Sequence, residues 1–290
     1  MVRRSALVAC AAALGIAGVA GCGGSGGADL TKDRTPDQIL KDAQGAAAGQ
    51  SQFRVTIEGS ARGVVSTRSA RTPTILIRTL GGGIRANGQG TVNGDDATLD
   101  FDASLARLPS VQGNVTKVGG RVFVGLLGSD YRVALPEDRV REAHPALLPS
   151  GLLTWITSPR VEGRETVDGT ETVRMTGQVD LDVVSRDALN VLSRVETGTV
   201  RPDDIRRSIP ELRRGLTRRS VEMWIGTRDL LPRRVVVTLG LRGRITAFPE
   251  ISRADVTFDT RFDDYGKSVT IAEPATNRTL DLDSLGSILG

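Results

Sequence analysis

Few side chains in this sequence can do chemistry. It holds one histidine, His144, and two cysteines, Cys10 and Cys22. A zinc site needs three or four His, Cys or carboxylate ligands, and His144 with little beside it cannot supply them. Both thiols lie within the first 22 residues, which leaves the body of the chain without thiol chemistry. As a general base His144 would need an acid or nucleophile in reach, and the sequence places none. Followed by Pro145, it reads as a surface or helix-start residue. Asp263-Asp264 suggests calcium at first sight. Adjacent acids on a strand point to opposite faces, however, so this pair reads as a strand end and turn. Trp155 and Trp224 suit either the lining of an apolar pocket or buried packing with the indole N–H bonded. The chain reads as a non-enzyme, with no metal and no cofactor.

Cys22 is the exception, because of what precedes it. Arg3 and Arg4 form a positive n-region, Ala6 to Val19 an apolar h-region, and Val19-Ala20-Gly21 a small-residue exit. The apolar run from Ala6 to Gly21 is shorter than the roughly 20 residues that span a bilayer. Val19-Ala20-Gly21-Cys22 resembles a bacterial lipobox, whose cysteine receives a diacylglyceryl thioether and becomes the mature N-terminus. A plain secretory signal would instead leave one unpaired thiol in an oxidising compartment. Gly23-Gly24-Ser25-Gly26-Gly27 then reads as a flexible tether. The organisation expected is a signal at 1–21, a tether at 22–34 and a single domain at 35–290. The location expected is the outer, extracytoplasmic face of the cell membrane, held by the lipid on Cys22.

The 290 residues are 39% hydrophobic and 25% charged, enough to bury a core. The net charge is +4, and no basic run is interleaved with aromatics, so nucleic acid is not an expected partner. Arg206, Arg207, Arg213, Arg214, Arg218 and Arg219 alternate with acids and read as a solvated helical face. Arginine outnumbers lysine 34 to 4, which points to the codon bias of a GC-rich bacterial genome.

The elements that must carry any site change period along the chain. Thr35-Pro36-Asp37-Gln38 is a capping box with proline at the first helical position, and Ile39, Leu40 and Ala43 give that helix its apolar stripe. Alternation then predicts strands around 53–58, 74–80, 84–88 and 99–105, a hairpin over Gly119-Gly120, and a short edge at 131–135. One or two short apolar helices are expected across 144–158. A hairpin turns at Asp168-Gly169, helices are expected at 185–195 and 202–216 with Pro210 kinking or splitting the second, and strands return at 221–225, 235–241 and 254–262. Most strands have one polar face, which favours antiparallel pairing and an α+β fold on one curved sheet with helices on one side.

Val161-Glu162-Gly163, Thr176-Gly177-Gln178-Val179-Asp180, Val221-Glu222-Met223-Trp224-Ile225, Leu231-Pro232-Arg233-Arg234 and Phe262-Asp263-Asp264-Tyr265-Gly266 occur in that order. With the lipobox, this series resembles the actinobacterial lipoproteins of the LppX and LprG type, within the LolA-like lipoprotein-carrier fold. Gly226 stands where that family has Asp. The resemblance implies a curved antiparallel half-barrel sheet with helices over its concave face, and an apolar cavity for acyl chains of lipids or lipoglycans. It also implies carriage of lipid within the envelope, with an envelope transporter as a further partner, and it transfers no catalytic residue. The cavity lining it implies is Val55, Ile57, Phe101, Leu152, Leu153, Trp155, Ile156, Val221, Met223, Ile225, Val237 and Phe258. Alternation alone fits a filled core as well as a cavity, so a scaffolding lipoprotein that binds an envelope protein is the alternative.

Overall fold

Thr35 starts the first helix as its spacing predicts. Its hydroxyl accepts from the Gln38 N–H at 3.3 Å, and its own N–H donates to Gln38 Oε1 at 2.9 Å, closing the capping box of α1 (Pro36–Ala48). The structure is a computed structural model and describes residues 28–65, 83–105, 110–126, 128–134, 144–192, 202–243 and 251–280. The strand expected at 74–80 lies outside them.

Twelve strands form one open sheet. They are β1 (Gln52–Val65), β2 (Ile84–Asn93), β3 (Asp96–Leu105), β4 (Val111–Val118), β5 (Arg121–Leu126), β6 (Ser129–Val133), β7 (Ile156–Val167), β8 (Thr170–Val179), β9 (Leu216–Gly226), β10 (Pro232–Arg242), β11 (Ile251–Asp263) and β12 (Thr279–Leu280). Their order is β12-β6-β5-β4-β3-β2-β1-β11-β10-β9-β8-β7. Two meanders are thus joined where β11 returns to pair with β1, and the sheet is a curved, unclosed half-barrel with helices on its concave face. All pairings are antiparallel except one. The last two-residue strand runs parallel to β6, so β6 is not the edge that its sequence suggests. A C-terminal arm delivers it. Asn93 Nδ2 donates to the Val269 carbonyl at 2.7 Å, Arg121 pairs with Glu273, and Thr276 Oγ1 donates to the Asp130 carbonyl at 2.8 Å.

The hairpin turns follow the chemistry of their residues. Gly119 and Gly120 have φ of 56° and 72°, and Asp168 and Gly169 have 46° and 78°. Positive φ at both central positions is the type I′ turn that matches strand twist. These turns, with 94–95 and 227–231, lie at one end of the sheet, called the hairpin end; the finish of β1 and β10 and the start of β2, β9 and β11 lie at the distal end.

The middle of the chain departs from expectation in three places. Across 144–158 there is a 3-10 turn (Pro145–Leu147) and a six-residue helix α2 (Leu148–Leu153), but Ile156 already begins β7. Pro149 sits in the first turn of α2, where its missing N–H costs nothing, so it does not break the helix. The next helix, α3 (Leu181–Leu192), starts four residues early because Asp180 caps it: Asp180 Oδ1 accepts from the N–H groups of Asp182 and Val183 at 3.0 and 3.2 Å. Pro210 lies inside α4 (Pro202–Gly215) without splitting it, and Leu216 belongs to β9.

The core is one cluster under α1 and α2. Ile39, Leu40, Ala43 and Ala47 of α1 meet Phe53 and Val55 of β1, and Leu152 and Leu153 of α2 join the same cluster. Gln44 Nε2 ties the two helices by donating to the Leu153 carbonyl at 3.1 Å. Residues 29–34, read from sequence as tether, are docked at the hairpin end. The Leu30 N–H donates to the Thr227 carbonyl at 2.7 Å, Asp29 pairs with Arg164, and Thr31 is buried.

Candidate functional site: the apolar inner face

Register assigns every strand residue to a face, because directly paired residues share one. One inner row reads Met175, Met223, Val235, Thr260, Ile57, Gly88, Phe101, Gly113 and Leu126 across β8 to β5. The next, nearer the distal end, reads Val221, Val237, Phe258, Gly59, Ala86, Ala103 and Val111. Apart from the buried Thr260, both rows are apolar from one half of the sheet to the other. Their burial is not uniform. In the second row Val221 is 0% and Val237 4% exposed, whereas Phe258 is 45% and Val111 43% exposed. Among the described residues α1 lies beside β7, α4 beside β10 and the 3-10 turn beside β2, and no helix makes a comparable contact with β3 to β6.

Glycines shape this open half. Phe258 lies over Gly59, where a Cβ would meet its ring at 3.5 Å, and Leu99 lies over Gly88 and Gly90. A Cβ at Gly113 would come within 2.7 Å of Phe101 Cζ and 3.0 Å of Leu126 Cδ2. Large apolar side chains therefore lie flat against glycine backbone. The result is an apolar trough with no charged group on its floor in either row.

The twelve residues expected to line a cavity divide. Val55, Leu152, Leu153, Ile156, Val221, Met223, Ile225 and Val237 are buried members of the core cluster. Ile57 and Trp155 are partly buried against it, Phe101 is partly buried, and Phe258 is exposed. The helix residues Leu152, Leu153, Trp155 and Ile156 do share a cluster with Val221, Met223 and Ile225. Sequence reasoning passed over Leu99, Val111, Val115, Val124 and Leu126, which share the open face. The alternation of Leu99, Phe101 and Ala103 with acids was the available signal.

The two tryptophans lie on opposite faces. Trp155 Nε1 donates to Asp187 Oδ2 at 3.0 Å. Trp224 alternates with Met223 and Ile225, so it faces outward, and it is nonetheless 5% exposed. Arg174 and Arg234 stack over its ring at 5.6 and 4.9 Å, and its Nε1 donates to Glu165 Oε2 at 2.9 Å. That hydrogen bond and the nearby Arg174 and Arg234 hold the Glu165 carboxyl below its ordinary range against burial. Trp224 packs the outer face.

The remaining chemistry-bearing residues are accounted for locally. His144 is exposed, precedes the 3-10 turn, and has its Nδ1 3.3 Å from Asp95 Oδ1. Asp263 ends β11, and Asp264 bonds Lys267 Nζ at 2.5 Å and pairs with Arg54 at 3.3 Å. Burial, then the neighbouring Asp264, pushes the Asp263 carboxyl up. Tyr265 packs on Phe53 and donates its hydroxyl to the Pro232 carbonyl at 2.8 Å, and burial pushes its phenol well up. Gly226 has a steric reason: a Cβ there would collide with Asp229 Oδ1, which accepts from the Leu231 N–H. Among the described residues no group of three or more His, Cys, Asp or Glu could hold a metal, and no helix is long and apolar enough to cross a membrane.

No family model and no curated protein matches this chain. Solved structures do. LprF from Mycobacterium bovis is 16% identical, with a TM-score of 0.45 over 83% of this chain and 99% of its own. The lipoprotein LppX from Mycobacterium tuberculosis is 12% identical, with a TM-score of 0.38 over 82% and 100%. A LolA superfamily protein from Nitrosomonas europaea is 9% identical, with a TM-score of 0.25 over 82% and 96%.

Proposed function

We propose that this chain is a non-enzymatic, membrane-tethered carrier that takes acyl chains of lipids or lipoglycans onto the open half of its inner face. The observation that supports this reading is the burial step along one apolar row, from Val237 at 4% to Phe258 at 45% exposed. A row that only served a filled core would be covered along its length. Ile57, Phe101, Phe258, Leu99 and Val111 then form the acyl-binding floor, while the cluster around Met223 fixes the shape of the sheet. Burying about 16 carbons contributes on the order of 10 kcal/mol before binding costs, at about 0.8 kcal/mol per methylene. Such a ligand needs few polar contacts. The thioether on Cys22 holds the carrier at the outer face of the membrane.

Mass spectrometry of the intact protein, purified without detergent and kept native, tests this directly. Lipid is expected to co-purify with it. Protein that is repeatedly empty across preparations would favour the scaffolding alternative, in which the same face receives an envelope protein.

A further inference from the structure

We propose that the distal end of the sheet docks end-on against an anionic lipid surface that faces the membrane holding the chain. The proposal rests on the reading that Cys22 is the anchor, and on charge and geometry at the two ends of the sheet.

Arg62, Arg85, Arg214, Arg218, Arg219 and Arg242 all lie toward the distal end, in β1, β2, α4, β9 and β10. All six are exposed, and among the described residues none has an ion-pair partner. Arg242 stands directly opposite Arg253 across the ladder, and the nearby acid Asp255, opposite Arg62, is taken up by its pair with Arg253. Arg219 shares the inner-face row of Leu239, Val256 and Ala61, so positive charge borders the apolar floor. From β2 to β9 these residues span five neighbouring strands, about 20 Å at roughly 4.8 Å per strand. That width fits several lipid headgroups side by side rather than one. At the hairpin end three charged pairs form, Asp29 with Arg164, Asp229 with Arg233, and Asp264 with Lys267, and Arg228 is the exposed arginine of the 227–231 turn without an ion pair among the described residues.

The tether sets which surface the arginines can meet. It leaves the folded body at Asp29, which is held at the hairpin end. Seven residues, 22–28, reach at most about 25 Å. The 14 residues of β1 extend about 45 Å at roughly 3.3 Å each. A chain anchored through so short a leash cannot stand on its own membrane by its distal end, so contact made end-on is with a second surface. The exposed apolar floor at Phe258 lies toward that same end, where lipid would be handed over.

The test uses the full chain reconstituted in phosphatidylcholine vesicles. Target vesicles of phosphatidylcholine alone, or with one third phosphatidylglycerol, are then added and clustering is read by dynamic light scattering. Clustering is expected only with the anionic targets, and 0.5 M NaCl should release it because screening shortens to a few ångströms. The triple variant Arg218→Gln, Arg219→Gln, Arg242→Gln should weaken it on the order of a hundredfold. The corresponding lysine variant should restore it, which separates charge from folding. Equal clustering of neutral targets, an unchanged glutamine variant, or no clustering by chain that floats with its donor vesicles would each overturn the proposal. Chain that does not float with the donors overturns the anchor and the docking together. Fluorescent fatty-acid displacement on the same samples reports the carrier reading separately: its loss with clustering intact removes the carrier and supports the docking.

Discussion

Gly226 and Asp29 illustrate how single residues hold the hairpin end in shape. The space at Gly226 belongs to the Asp229 carboxylate, which organises the turn into β10 through the Leu231 N–H and pairs with Arg233. Gly226→Asp would restore the residue type that the resemblance leads one to expect there. In this chain it sets two carboxylates against each other at a blocked site, and it should cost about 1–3 kcal/mol in denaturant unfolding. An unchanged midpoint would mean that the turn relaxes freely. At Asp29, burial raises the carboxyl, but the Thr31 hydroxyl and N–H and the Arg164 guanidinium outweigh it and the net shift is downward. A depressed folded pKa gives stability that is complete above the unfolded value of about 4 and is lost as pH falls through the folded value. The Leu30 amide should therefore lose exchange protection, corrected for intrinsic rate, only below about pH 4. Protection that is flat into stronger acid would show that the carboxylate does not hold this segment.

Elements with local signals were legible in the sequence. The capping box of α1, the Gly119-Gly120 and Asp168-Gly169 turns, and the alternation in β1, β3 and β9 each depend on neighbours within a few residues, and each formed where it was expected. Asp180 as a helix cap was missed because the following residues, Leu181 to Val184, also suit a strand. The parallel pairing of β12 with β6 was invisible, since two residues carry no period and their partner lies far away in sequence. Faces were legible and coverage was not. Alternation places Val237 and Phe258 on apolar faces alike, and only tertiary packing, which puts Val237 in the core cluster, distinguishes the covered residue from the open one. For the same reason Trp224 could not be assigned a role until Arg174, Arg234 and Glu165 were seen around it.

The whole molecule is a sheet with two unlike halves, one closed by helices and the other an apolar trough. The proposed acyl site is this trough and not the packed cluster. The most direct measurement pairs displacement of a fluorescent fatty acid with thermal unfolding, on the wild-type chain and on two variants. Phe258→Ser changes an exposed ring, so it should leave unfolding nearly unchanged and weaken fatty-acid binding about tenfold or more. Met223→Trp overpacks a fully buried site and should cost about 1–3 kcal/mol, with binding retained where the variant stays folded. A wild-type chain that binds no fatty acid, or a Phe258→Ser variant that binds it as tightly as wild type, would contradict the account.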